Sequence, residues 1–141
     1  MNPDQFRELC RGTCRQLGES DTDALLEGAG VLIDGVRLGV FHKDEVDEAG
    51  VYCYADLGEI ETQVDAARVM EELMALNLEL DVGHNEVIGL ERETRHLVLR
   101  ARVCGEDETV HEGQLADRLT YYAGMANGLF DTVLGGVARP D

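Results

Sequence analysis

The chain has 141 residues, with 29 acidic against 12 basic side chains, a formal net charge of −17 and an isoelectric point of about 4.4. That balance argues against a nucleic-acid binder, which needs a basic footprint to displace phosphate counterions, and against docking on an anionic membrane surface. It favours solubility and long-range attraction for basic partners.

The length suits one domain over 1–141, large enough to keep a core without disulfide or metal staples. Four cysteines, Cys10, Cys14, Cys53 and Cys104, do not form a disulfide framework. With no export signal visible in "MNPDQFRELC", they read as reduced thiols, and a cytoplasmic location is expected. No apolar run approaches the ~20 residues that cross a bilayer.

In chain order, the first helix is predicted from about Pro3 to Leu17. Asn2 can cap it, Pro3 fits its first position, and Gln5 sits where a capping-box partner belongs. Phe6, Leu9, Cys10, Thr13, Cys14 and Leu17 share a face. Arg7, Arg11 and Arg15 form a separate stripe, and Gly18 stops the helix. "ESDTDALLEG" is a polar connection with an apolar plug, Leu25 and Leu26. "AGVLIDGVRLGVFHK" is a hairpin turning at Asp34-Gly35, a pair that tolerates positive φ. "KDEVDEAG" is an acidic loop. "VYCYADLG" is a third strand, with Val51, Cys53 and Ala55 on one side and Tyr52, Tyr54 and Asp56 on the other.

A second helix is predicted over roughly Gln63 to Asn77, with an apolar stripe wider than one face needs: Ala66, Ala67, Val69, Met70, Leu73, Met74 and Leu76. Leu76, Leu78 and Leu80 then alternate at strand spacing. "NEVIGLE" and "HLVLRARV" form a second hairpin across "RETR", and "GEDET" is another acidic loop. A third helix runs from about Glu112 to Leu134, with Leu115, Leu119, Tyr122, Ala126, Leu129, Phe130 and Val133 on its face. Gly124 and Gly128 weaken it locally and are expected to allow close backbone approach. The order α-β-β-β-α-β-β-α implies an α+β fold, a mostly antiparallel sheet flanked by helices.

Chemistry-bearing motifs are missing. "GAGVLIDG" lacks the spacing of a dinucleotide fingerprint. His42, His84, His96 and His111 lie in different elements. Cys10 and Cys14 have no matching second pair for a metal and read as small hydrophobes on a core face. "VHEG" lacks the second histidine of a zinc-protease motif and reads as a helix start. No catalytic residue, metal or cofactor is assigned.

The segment "AARVMEELMALNLELDVGHNEVIGLERETRHLVLRARV" carries a recognisable pattern. It resembles the middle of the class I type III secretion chaperones, the Tir-chaperone (CesT) family. An apolar helix ends in a leucine-rich step, a Gly-containing loop follows, and "GLERETRHLVL" is similar to the family's second hairpin. The element order fits over essentially the whole chain. The chain departs from many members in lacking the tryptophan often found in the last helix, and in having the glycines of "YYAGMANGLF" there.

The resemblance implies a cytoplasmic bacterial homodimer of a virulence-associated secretion system. It would bind an N-terminal segment of a secreted effector, hold it extended and soluble without ATP, and support its delivery to the secretion apparatus. On this reading the wide stripe of the second helix serves two faces, one of them toward a second copy. Met70, Leu73, Met74, Leu76, Leu78 and Val87 are assigned to an isologous interface. An extended client pairs with a strand edge while alternate side chains enter apolar pockets. Helix 1 beside the first hairpin is the candidate groove, lined by Phe6, Leu9, Leu32, Leu38 and Phe41.

Two rival readings stand beside this one. A stand-alone binding or sensor module of the same α+β layout, such as a YbjN-like domain, needs no secretion client. A deep pocket placing His96 or His42 beside a carboxylate would mark a small enzyme.

Overall fold

The computed structural model describes residues 2–28, 30–42, 50–103 and 110–135. Three helices and five strands follow the expected order: α1 Pro3–Gln16, β1 Val31–Ile33, β2 Val36–His42, β3 Val51–Glu59, α2 Ala66–Asn77, β4 Val87–Leu90, β5 His96–Arg102 and α3 Glu112–Phe130. The strands form one sheet in the order β1-β2-β3-β5-β4, and every pairing is antiparallel. The acidic loops at "KDEVDEAG" and "GEDET", and Cys104 with the latter, lie outside the described residues apart from Gly50.

Local signals place most element ends. Asn2 Oδ1 accepts from the Gln5 N–H (2.8 Å), and Gln5 Oε1 accepts from the Asn2 N–H (2.9 Å), which closes the capping box of α1. Asp34 (φ 51°) and Gly35 (φ 80°) both take the left-handed conformation that a two-residue hairpin turn requires. In α3 the cap is His111, whose ring nitrogen accepts from the Gln114 N–H.

Two expectations are corrected. The leucines after α2 do not begin a strand. Leu78 caps the helix, a turn follows, and Val82–His84 form a 3₁₀ turn capped by Asp81, with Asn85 in the left-handed region. Three alternating leucines carry no strand here, because Asp81 and Asn85 supply turn chemistry. Second, Gly124 and Gly128 face solvent, and a Cβ on either would meet nothing within 4 Å, so no backbone packs closely there. The second helix also starts later than predicted. Asp65 caps it, and Ile60–Thr62 form a separate 3₁₀ turn.

The core lies between one face of the sheet and the helices. Val36, Leu38 and Val40 of β2, Val51, Cys53 and Ala55 of β3, and Leu97, Leu99 and Ala101 of β5 are buried on that face. Above them pack Leu115, Leu119, Tyr122 and Ala126 of α3 and Leu9, Cys10 and Cys14 of α1. Helix α2 covers the β4 side through Val69 and Leu73. The opposite sheet face carries Phe41, Tyr52 and Tyr54, stacked with centroids 5.4 and 6.5 Å apart.

The two sheet edges differ. The Glu91 N–H donates to the His96 carbonyl (2.8 Å), so alternation along the β4–β5 ladder turns the N–H and C=O of Ile88 outward. Both are taken by one side chain. Asn77 Oδ1 accepts from the Ile88 N–H (2.7 Å), and Asn77 Nδ2 donates to the Ile88 carbonyl (2.9 Å). Asn77 thus imitates one residue of a neighbouring strand. At the other edge, the two-residue turn makes Ile33–Val36 the closing hydrogen-bonded pair. Alternation then directs the N–H and C=O of Leu32 away from the sheet.

Candidate functional site

A groove of about 380 Å³ lies where α1, the connector and the end of β2 meet. Pro3, Phe6 and Arg7 come from α1, Leu25 and Leu26 from the connector, and Val40, Phe41 and His42 from β2. The Phe6 and His42 rings stack with centroids 5.5 Å apart across the junction. Leu25 anchors the connector in the core while Leu26 is left 37% exposed. One wall is charged: Arg7 is paired with Asp4 at 2.8 Å.

Of the residues predicted for this groove, the structure brings Phe6 and Phe41 together. Leu9 and Leu38 are core residues, 7% and 0% exposed, and lie beneath it. Leu32 is on the edge strand β1, 54% exposed, and lines a different cavity. Leu25, Leu26, Val40 and His42 were not anticipated. The apolar pair inside a polar connector was the available signal.

A second apolar surface follows α2. Met70, Met74 and Leu78 recur at i, i+4 and i+8, and they are 40, 71 and 91% exposed. Val82 extends the stripe at 86%. Beside it, Met70, Leu73 and Met74 face Ile88, Leu90 and Leu97 across a small apolar pocket. Leu73 is buried in the core, and Leu76 and Val87 are half-buried. The six residues predicted for an interface therefore divide, with Met70, Met74 and Leu78 facing solvent.

Histidine 96 has carboxylate partners. Its Nδ1 lies 2.8 Å from Asp56 Oδ1 and its Nε2 lies 3.5 Å from Glu59 Oε1. The bulge between Asp56 and Glu59, with Gly58 at φ 92°, sets the two carboxylates on either side of the ring. Hydrogen bonding to Asp56 is the main cause that raises the His96 pKa, against a smaller lowering by burial. The cavity beside it, about 260 Å³, is lined by Tyr54, Thr94 and Val98 among others. Both ring nitrogens have carboxylate partners and the Thr94 hydroxyl donates to Glu91 (2.7 Å), so that His96 in its protonated form clamps the two sides of the bulge.

Cys10, Cys14 and Cys53 are free and buried. No cluster of three metal-ligating side chains occurs among the described residues, and no described helix is long and apolar enough to cross a membrane.

No family model matches the sequence, and no curated protein does. Among solved structures, the chain is similar to one reported as the crystal structure of the ExsC-ExsE complex. Identity is 16%, the TM-score is 0.67, and the match covers 94% of this chain and 97% of the other. The match spans nearly the whole of both chains, so the α+β architecture with its antiparallel sheet is shared: the protein has the fold of that chain.

Proposed function

We propose that this protein is a bacterial cytoplasmic chaperone that binds the N-terminal segment of a type III secreted effector. It keeps that segment extended and soluble, and supports its delivery to the secretion apparatus without using ATP. The groove between Phe6, Leu26 and Phe41 carries the reading. It is a trough open to solvent, formed by three elements, with apolar side chains beside one charged wall, and it suits side chains of an unfolded segment. The fold shared with a chain solved as a complex with a second protein supports it. No bond-making is required. Ordering the client costs entropy, so a large contact surface is needed, and the net charge of −17 keeps the loaded chaperone dissolved.

The working unit in this reading is a homodimer of a single-domain chain. The stripe Met70, Met74, Leu78 fits a second copy in antiparallel register. Centring a two-fold axis on Met74 sets Met70 against Leu78 of the other copy and brings Arg68 toward its Glu79 and Asp81. Apolar side chains then meet apolar ones, and unlike charges meet at both ends. The Asn77 clamp occupies Ile88, so this contact runs through helices rather than through a continued sheet.

The test is capture of the tagged protein from its own bacterium, followed by reconstitution with the purified partner. A secreted protein bound through a protease-protected N-terminal segment, and released by Phe6→Ala, is the expected result. A tagged protein that recovers no secreted partner under secretion-inducing conditions would favour the YbjN-like sensor module.

A further inference from the structure

The turn between α2 and β4, residues 78–86, carries the outer end of the α2 stripe, and little apolar packing holds it. Leu78 is 91% exposed and Val82 86%, so neither side chain fixes the backbone beneath it by burial. Polar bonds fix it instead. Asp81 Oδ1 accepts from the Gly83 N–H (2.8 Å), and Glu86 Oε1 accepts from the Asp81 N–H (2.9 Å). The other carboxylate oxygen of Glu86 reaches α3, where it accepts from the Tyr122 hydroxyl (2.6 Å). Among the described residues this is the one hydrogen bond between the turn and α3.

Tyr122 is 1% exposed and belongs to the core. A phenylalanine would supply the same apolar ring, and a buried hydroxyl costs free energy unless it is bonded. Arg118 Nη2 donates to this hydroxyl (2.7 Å), which leaves its proton for Glu86. The Arg118 guanidinium lies 5.0 Å from the centroids of both the Tyr121 and the Tyr122 ring. Its Nε is buried with no acceptor among the described residues, so the group orients the tyrosine while one of its own donors stays unmet. We propose that Tyr122 is a positioning residue for the contact with a second copy: through Glu86, its hydroxyl holds the turn, and with it Leu78, Asp81 and Val82, in the arrangement that the other copy meets. This rests on the homodimer reading. It adds that α3 sets the affinity without touching the other copy, because a turn ordered before contact loses less entropy on binding.

Tyr122→Phe removes the hydroxyl and keeps the ring. Glu86→Ala cuts the same link from the turn side and leaves the core unaltered. Thr13→Val is the control, because it deletes another buried hydroxyl, one that donates to the Leu9 carbonyl (2.7 Å) within α1. By sedimentation equilibrium, self-association is expected to be roughly tenfold weaker in Tyr122→Phe and in Glu86→Ala, and near-native in the control. Val82→Ser should weaken the wild-type dimer and have little further effect in the Tyr122→Phe chain, since both changes act through one turn. Additive losses, or a control that weakens as much as Tyr122→Phe, mean general destabilisation and overturn the proposal. If Tyr122→Phe and Glu86→Ala associate as tightly as wild type, this inference fails while the homodimer reading stands. A wild type that stays monomeric at every concentration overturns both.

Discussion

Replacing Asn77 by alanine removes both hydrogen bonds that cover Ile88 on the β4 edge. The lost bonds measure 2.7 and 2.9 Å, and each is worth about 1 kcal/mol net. The Ile88 side chain is 5% exposed and α2 lies over the strand, so the freed N–H and C=O are not fully rehydrated. The expected destabilisation is about 2–3 kcal/mol, or roughly 6–10 °C in Tm for a chain of this size. Calorimetric melts at several protein concentrations would separate this from any shift due to dimer dissociation. Asn77→Asp retains the acceptor for Ile88 N–H but loses the donor and sets a carboxylate against the Ile88 carbonyl, so it should fall at least as far. Both variants expose an edge residue, and higher-order association on standing is expected to rise. A Tm within about 1 °C of wild type for Asn77→Ala would refute the idea that the carboxamide stands in for a strand.

Met74→Lys should give a folded monomer by sedimentation equilibrium, because Met74 is 71% exposed in the single chain and its replacement there costs little; a dimer unchanged in affinity would remove α2 from the interface. His96→Gln tests the clamp. The folded His96 pKa is raised, first by its hydrogen bond to Asp56. Its stabilisation is therefore fully present below the unfolded value of about 6.5 and is lost as pH rises through the folded value. The Tm gap between wild type and His96→Gln should be wide near about pH 6 and narrow by about pH 9, and a gap that widens with pH would contradict this. Gly39→Ala should cost about 1–3 kcal/mol in chemical denaturation, since its Cβ would enter the Tyr54 ring and the ring is already held in the stack with Phe41.

Features governed by near neighbours in sequence were legible from it. The Asn2–Gln5 box and the Asp34-Gly35 turn need only a few adjacent residues, and both occur where predicted. The 3–4 period of α1 identified Leu9, Cys10 and Cys14 as inward-facing. Period alone does not say what an apolar residue faces. Leu38 alternates on β2 like a pocket residue, yet α3 covers it completely. Leu32 has the same composition signal, but its strand lies at the sheet edge, a fact fixed by strand order. Strand order is nonlocal, and β5 inserting between β3 and β4 leaves no mark in the sequence. The leucines after α2 failed for a different reason. Leu78 is solvent-exposed, so its alternation with Leu76 and Leu80 records a helix exit with an apolar outer surface, not a pleat. The Asn77 clamp was missed because a polar residue at a helix end reads first as a cap.

The buried thiols give the molecule built-in clocks. Burial is the leading cause that raises the pKa of Cys10 to about 12, that of Cys53 to about 12, and that of Cys14. Near neutral pH none of the three reacts with an alkylating agent until the chain around it opens. Cys10 and Cys14 record the undocking of α1, the helix that walls the groove, and Cys53 records opening of the central sheet. With Cys104 changed to serine, modification rates of the three sites read two openings in one native protein. A segment seated across Phe6 and Leu26 holds α1 down, so it slows the first two clocks more than the third.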